Sequence, residues 1–111
     1  MIQITHSRGM TSDRIRIIGH AYYNPGNDIV CAGVSALACT LAAAAVELDE
    51  NHYCNTQISP VISGDMCIDI DTEDRHLEDV RMVVDAFTAG LRAIANNYPD
   101  YVHMDGPDDD Y

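Results

Sequence analysis

The sequence predicts an α+β fold in which an antiparallel or mixed β-sheet is covered by two α-helices, in the order ββαββα with a short strand at the carboxyl end. Three observations carry that prediction. Short segments near residue 1, residue 14 and residue 66 alternate apolar and polar side chains; two longer segments have helical length and helical patterning; and neither a repeat nor an internal linker interrupts them. With 111 residues the chain has material for a single hydrophobic core.

Each element follows from local chemistry. MIQIT and RIRII both alternate, and Ser7, Arg8, Gly9, Met10, Thr11, Ser12 and Asp13 between them supply turn residues, so the two form an antiparallel pair. Along RIRIIGH the alternation sets Ile15 and Ile17 on one face and Arg14, Arg16 and His20 on the other. Asn24, Pro25, Gly26 and Asn27 then turn the chain, and Asp28 caps a helix that ends near Leu48 in an acidic loop.

That helix contains Ile29 to Val46, eighteen residues without a charge, which reaches the lower limit for a membrane span. Its Ala, Gly, Ser, Thr and Cys content argues against one. So do the acids that bracket it (Asp28, Glu47, Asp49, Glu50) and the lack of a flanking Lys or Arg. The expectation is a helix buried on most sides in a small domain, with no membrane partner.

A strand from Asn55 to Ile62 follows, and Pro60 marks it as an edge. Ser63, Gly64 and Asp65 turn the chain into MCIDI, where Met66, Ile68 and Ile70 share one face and Cys67 and Asp69 the other. Leu77, Val80, Val84, Phe87, Leu91 and Ile94 recur at steps of three and four and form the apolar stripe of the second helix, which stops near Asn97 before Tyr98-Pro99. YVHM is the last strand. DGPDDDY, from Asp105 to Tyr111, reads as a solvated acidic tail, so the folded domain is placed at 1–104 and the tail at 105–111.

The charge balance bounds the partners. Six Lys and Arg face 18 Asp and Glu, a formal net charge of −12. Phosphate backbones need a basic face, so nucleic acid is not expected. A basic protein or peptide suits the field better, although solubility alone would also account for the acids. The four cysteines, Cys31, Cys39, Cys54 and Cys67, include no C-x-x-C pair, and the amino terminus is neither basic nor apolar enough for a leader, which fits free thiols in the cytoplasm. His52, Cys54 and Cys67 match no standard zinc spacing, and neither a phosphate-binding glycine motif nor a serine nucleophile elbow is present; no metal and no cofactor are expected.

The chemistry concentrates in GHAYYNPGNDIVCAGVSAL. With Asp28 as N-cap, Cys31 stands at the third helical position, where unpaired amides and the positive end of the helix dipole favour thiolate. The nearby carboxylate opposes this, and an imidazolium would restore it. His20, beyond a short turning loop, is positioned to provide one. Taken singly, His20 could be an exposed strand-end residue and Cys31 a small buried apolar one. Ser35 and Cys39 follow Cys31 at intervals of four along one side of the helix, with Cys39 expected in the core.

GHA, a short loop containing glycine, and DIVCAGVSAL together resemble the signature of the ribosomal-processing cysteine protease family, Prp, in which GHA and DIVCAAVSAL stand in the same order. MIQIT and RIRIIGHA resemble that family's first two strands, and FTAGLRAIANNYPDYV its second helix and last strand. The resemblance implies a homodimeric cysteine endopeptidase that removes an amino-terminal extension from a large-subunit ribosomal protein, or from a capsid or scaffold protein in a phage relative.

It also implies roles. Cys31 is the nucleophile and His20 its partner, Asp28 and Ser35 occupy supporting positions, and Tyr22, Tyr23, Asn24, Pro25, Gly26 and Asn27 form a substrate loop. This loop is about one residue shorter than the family's and poorer in glycine, and Gly33 stands where alanine is usual. The helix-start amides, that of Cys31 included, are expected to hold the oxyanion. Two other readings stand beside this one: a non-enzymatic acidic module that binds a basic partner, and a thiol redox or acyl-transfer activity, for which no resolving cysteine lies close in sequence.

Overall fold

The computed structural model describes residues 1–24, 28–59 and 64–108. In chain order they form β1 (Ile2–Arg8), β2 (Ser12–Ile18), α1 (Ile29–Glu50), β3 (Asn55–Ile58), β4 (Asp65–Asp71), a single 3-10 turn at Asp74–His76, α2 (Leu77–Asn97) and β5 (Val102–Asp108). The strands lie in the order β3-β4-β2-β1-β5. All pairs are antiparallel except β1 with β5, which makes the sheet mixed.

Alternation decides which face is dry. Ile2 and Ile4 on β1, Ile15 and Ile17 on β2, and Met66, Ile68 and Ile70 on β4 are buried, and they join the inner sides of both helices in one core. α1 contributes Val30, Val34, Ala38, Leu41, Ala42 and Ala45; α2 contributes Val80, Val84, Thr88, Leu91 and Ala95. The opposite face of the sheet is wet and carries cross-strand ion pairs, Arg14 with Asp69 at 2.6 Å and Arg16 with Asp65 at 3.5 Å. The helices meet at glycine: a Cβ on Gly33 would lie 3.3 Å from Ile94, and one on Gly90 3.0 Å from Leu37.

Four expectations are corrected. The first hairpin is tighter than the turn composition implied, because β1 runs to Arg8 and β2 begins at Ser12, which puts Asp13 inside a strand and buries it. The physical reason is a polar cluster: Asp13 accepts from His6 Nε2 (2.7 Å), Arg8 Nε (2.7 Å) and Arg81 Nε (3.2 Å), while Arg8 also reaches Asp85 (2.7 Å) and Arg81 the Gly9 carbonyl (2.5 Å).

Second, α1 is not buried on most sides. Only 33% of its most apolar stretch is buried, and Ala32, Ala36, Cys39, Thr40, Ala43 and Val46 face outward. By length and composition α1 could cross a membrane, yet its inner side is part of the core of the α+β domain. Third, the last strand continues through Asp108 rather than stopping at Met104, since β5 pairs with β1 from Ile2↔Val102 to Ser7↔Asp108. Gln3 donates to Asp105, and Arg92 to the Gly106 carbonyl. β5 therefore takes in 105–108 of the expected tail, and 109–111 lie outside the described residues.

Fourth, β3 ends at Ile58. It is an edge strand as expected, while the remainder of the expected strand, 60–62, lies outside the described residues.

Candidate active site

The site begins where β2 ends. Gly19 has φ +100°, and a Cβ there would lie 2.4 Å from the Met1 carbonyl oxygen, so glycine is required. Its N–H donates to the Gly64 carbonyl (2.8 Å), which ties the end of β2 to the start of β4. Gly64, with φ +81°, lies against the imidazole of His20: a Cβ would come within 2.7 Å of Nε2. The ring of Tyr22 is also near, its centroid 5.8 Å from that of His20 and inclined by 57°.

Asp28 organises the start of α1. Its carboxylate accepts from the Cys31 amide (Oδ1, 2.9 Å) and the Tyr23 amide (Oδ2, 3.0 Å), so one side chain holds both the helix end and the arm that follows His20. The Cys31 amide, opposed by burial and helped by the Tyr23, Asn24 and Val30 amides, holds the carboxyl of Asp28 below its ordinary range. The expectation that the Cys31 amide serves the oxyanion is corrected: that N–H is engaged by the cap, and the Ala32 N–H by the Asp28 carbonyl (3.0 Å).

His20 and Cys31, both half-buried, line one cleft of about 270 Å³ together with Ser35 and Cys39. Among the described residues no hydrogen bond joins the imidazole to the thiol. Ile17, Val34, Ala38 and Met66 supply the apolar walls, and Asp65 stands beside them. Cys39 is exposed and lines this cleft rather than the core. Of the substrate loop, Tyr22, Tyr23 and Asn24 are exposed; Pro25, Gly26 and Asn27 lie outside the described residues.

A larger depression of about 950 Å³ lies at the far end of β2, along Ser7, Arg14, Gln57 and Asp71. It is open and polar and holds neither thiol nor imidazole, so the chemistry favours the smaller cleft.

The other two thiols have different surroundings. Burial pushes Cys54 up, beside Thr56 and Asp49, and burial with the Asp69 charge pushes Cys67 up. Both are poor nucleophiles near neutral pH. Cys54 packs under α1 and Cys67 lies on the wet face of the sheet beside Asp69. Among the described residues no three His, Cys, Asp or Glu side chains converge as metal ligands.

The structure places the thiol and the imidazole named from sequence on one cleft, with Asp28 capping the helix. Sequence reasoning gave no part in this cleft to Gly19, Gly64 or Asp65, whose placement depends on the pairing of β2 with β4.

An α+β domain with a thiol at a helix start and a histidine on the same cleft has the parts of a cysteine hydrolase. Residues 1–103 match the family described as cysteine protease Prp. The chain belongs to this family and is a cysteine protease. Among solved structures it is similar to the ribosomal processing protease Prp from S. aureus in complex with a covalently linked product peptide, with 22% identity, a TM-score of 0.74 and coverage of 95% of this chain and 98% of that one.

The same S. aureus protease with a substrate peptide gives 21% identity, a TM-score of 0.70, and again 95% and 98% coverage. SMU.848 from Streptococcus mutans gives 30% identity, a TM-score of 0.68, and 94% and 91% coverage. A comparison with curated proteins finds no match. Family membership removes the two competing readings, the non-enzymatic binding module and the redox or acyl-transfer protein.

Asp28→Ala tests the cap. Because the folded carboxyl is held below its ordinary value of about 4, its contribution is fully present above that value and is lost as pH falls through the folded one. Thermal unfolding should show the variant below the parent from about pH 5 upward, with the two curves converging in stronger acid.

Proposed function

We propose that Cys31 and His20 form the catalytic dyad of an endopeptidase that removes an amino-terminal extension from a ribosomal protein, or from a phage structural protein. The observation that carries this reading is the shared cleft, lined by a thiol at the start of α1 and by an imidazole just past the end of β2 that lies against Gly64. The S. aureus structures with substrate and product peptides support the substrate class.

In the reaction, His20 takes the proton of Cys31 Sγ, the sulfur attacks the scissile carbonyl carbon, and the imidazolium returns the proton to the departing amine. A water activated by His20 then hydrolyses the thioester, releasing the acyl product and the free thiol. Asp28 fixes the helix end that carries the nucleophile, and Ser35 borders the same cleft one turn further on.

A basic substrate is supported by the net charge of −12. A homodimer is supported by the resemblance and by the outward side of α1, which is uncharged from Ala32 to Val46 and leaves Val46 41% exposed. A cytoplasmic location is supported by four unpaired cysteines.

The experiment is incubation with the amino-terminal segments of candidate ribosomal and capsid proteins, read by mass spectrometry. One segment should lose its extension, at a rate that falls with salt because exposed charges are screened beyond about 8 Å at physiological ionic strength. Cleavage of none of them, or equal cleavage by Cys31→Ala, contradicts the proposal.

A further inference from the structure

Three tyrosines join the site to the far end of α2. The ring of Tyr23 meets Tyr98 edge-on, with centroids 5.6 Å apart at 86°, and Tyr101 in the same manner, 5.0 Å apart at 79°. Tyr98 and Tyr101 are half-buried and packed against the core. They are also fixed by backbone: the Tyr98 N–H closes α2 on the Ile94 carbonyl, and the Tyr98 carbonyl accepts from Tyr101 and Val102 as the chain enters β5. Tyr23 itself is 40% exposed, so burial alone does not account for where it sits.

Tyr23 is therefore held at two points, its ring by the α2–β5 corner and its N–H by Asp28. Tyr22, directly before it, has φ +56°, a backbone region that a tyrosine enters only when its surroundings impose it. The Tyr22 ring lies beside that of His20, with centroids 5.8 Å apart. The chain thus passes restraint from the α2–β5 corner, through Tyr23, to the residue beside the imidazole on one side and to the cap of the Cys31 helix on the other.

We propose that Tyr98 and Tyr101 are positioning residues for the protease reaction: as an aromatic latch for Tyr23, they hold the arm that sets His20 against Cys31. This rests on the dyad reading above. Nothing in the latch requires the hydroxyls. Edge-to-face contact uses the ring, so phenylalanine should replace either tyrosine without loss.

The test compares Tyr23→Ala, Tyr98→Ala, Tyr101→Ala and the three Phe variants with His20→Ala, in the full chain. Cys31 alkylation by iodoacetamide is followed from pH 6 to pH 10 by peptide mapping, with thermal unfolding as a check on folding. Each Ala variant should alkylate about tenfold more slowly than the parent near neutral pH and equally at high pH, where the thiol ionises unaided. The Phe variants should match the parent.

Tyr23→Ala lies on an exposed arm and guards against loss of fold in the other two. If His20→Ala slows alkylation while Tyr23→Ala leaves it unchanged, the latch is wrong and the dyad stands. If His20→Ala changes nothing, the dyad reading fails first. Phe variants as slow as Ala variants would overturn the ring-contact basis of the proposal.

Discussion

Asp13→Ala is expected to destabilise the protein by about 3–5 kcal/mol, the range for breaking a buried charge cluster from one side. Asp13 is 3% exposed and is shared by His6, Arg8 and Arg81, so its removal leaves three donors without their common acceptor. The His6 Nδ1 atom is already buried without a partner among the described residues, which leaves the ring no second hydrogen bond to fall back on. Since the carboxylate accepts, Nε2 of His6 carries the hydrogen.

Burial alone would raise the Asp13 carboxyl, but the hydrogen bonds from His6 and Arg8 and the charge of Arg8 outweigh it and hold the group below the ordinary carboxylate range. A depressed folded value means that the stabilisation is present above pH of about 4 and is lost as pH falls through the folded value. Denaturant unfolding of parent and variant at pH 7 and at pH 3 checks both claims. The gap should be wide at the first and narrower at the second.

Gly64→Ala carries the largest expected effect on activity by a residue that does no chemistry. The new Cβ would come within 2.7 Å of His20 Nε2, and φ +81° is strained for any side chain. The backbone on the Gly64 side is held by the bond from Gly19, so the imidazole is the group that must move. A displacement of about 1 Å can cost about a hundredfold in rate, and kcat/KM should fall by at least that much. A variant that unfolds normally yet cleaves at the parental rate would show that His20 need not stand where it does.

The legible parts of the sequence were those where chemistry and period agree locally. The stripe from Leu77 to Ile94 specified α2, and the alternation in MCIDI specified which face of β4 is dry. GHA followed by D-x-x-C marked the candidate site, because a cap, a helix start and a strand end can all be inferred from neighbours in sequence.

Long-range pairing was not legible. The His6–Asp13 cluster draws Arg81 and Asp85 from α2, so Asp13 looked like a turn residue. Gly64 looked like a turn glycine because its contact with His20 exists only once β2 and β4 pair. The outward side of α1 misled for another reason: Ala, Ser, Cys and Thr are small enough to suit either environment, so their pattern carries no inside and no outside. The continuation of β5 was masked by acids and a proline, which suit an exposed edge strand as well as a tail.

The central claim is that Cys31 attacks the substrate in the cleft it shares with His20. Brief treatment with a peptidyl chloromethyl ketone, followed by mass-spectrometric mapping, tests it most directly, because the peptide part directs the reagent to the substrate site and four thiols compete for it. The account predicts one adduct, on Cys31, that His20→Ala suppresses near neutral pH. An adduct on Cys39, adducts spread over several cysteines, or labelling of Cys31 that is indifferent to His20 would contradict it.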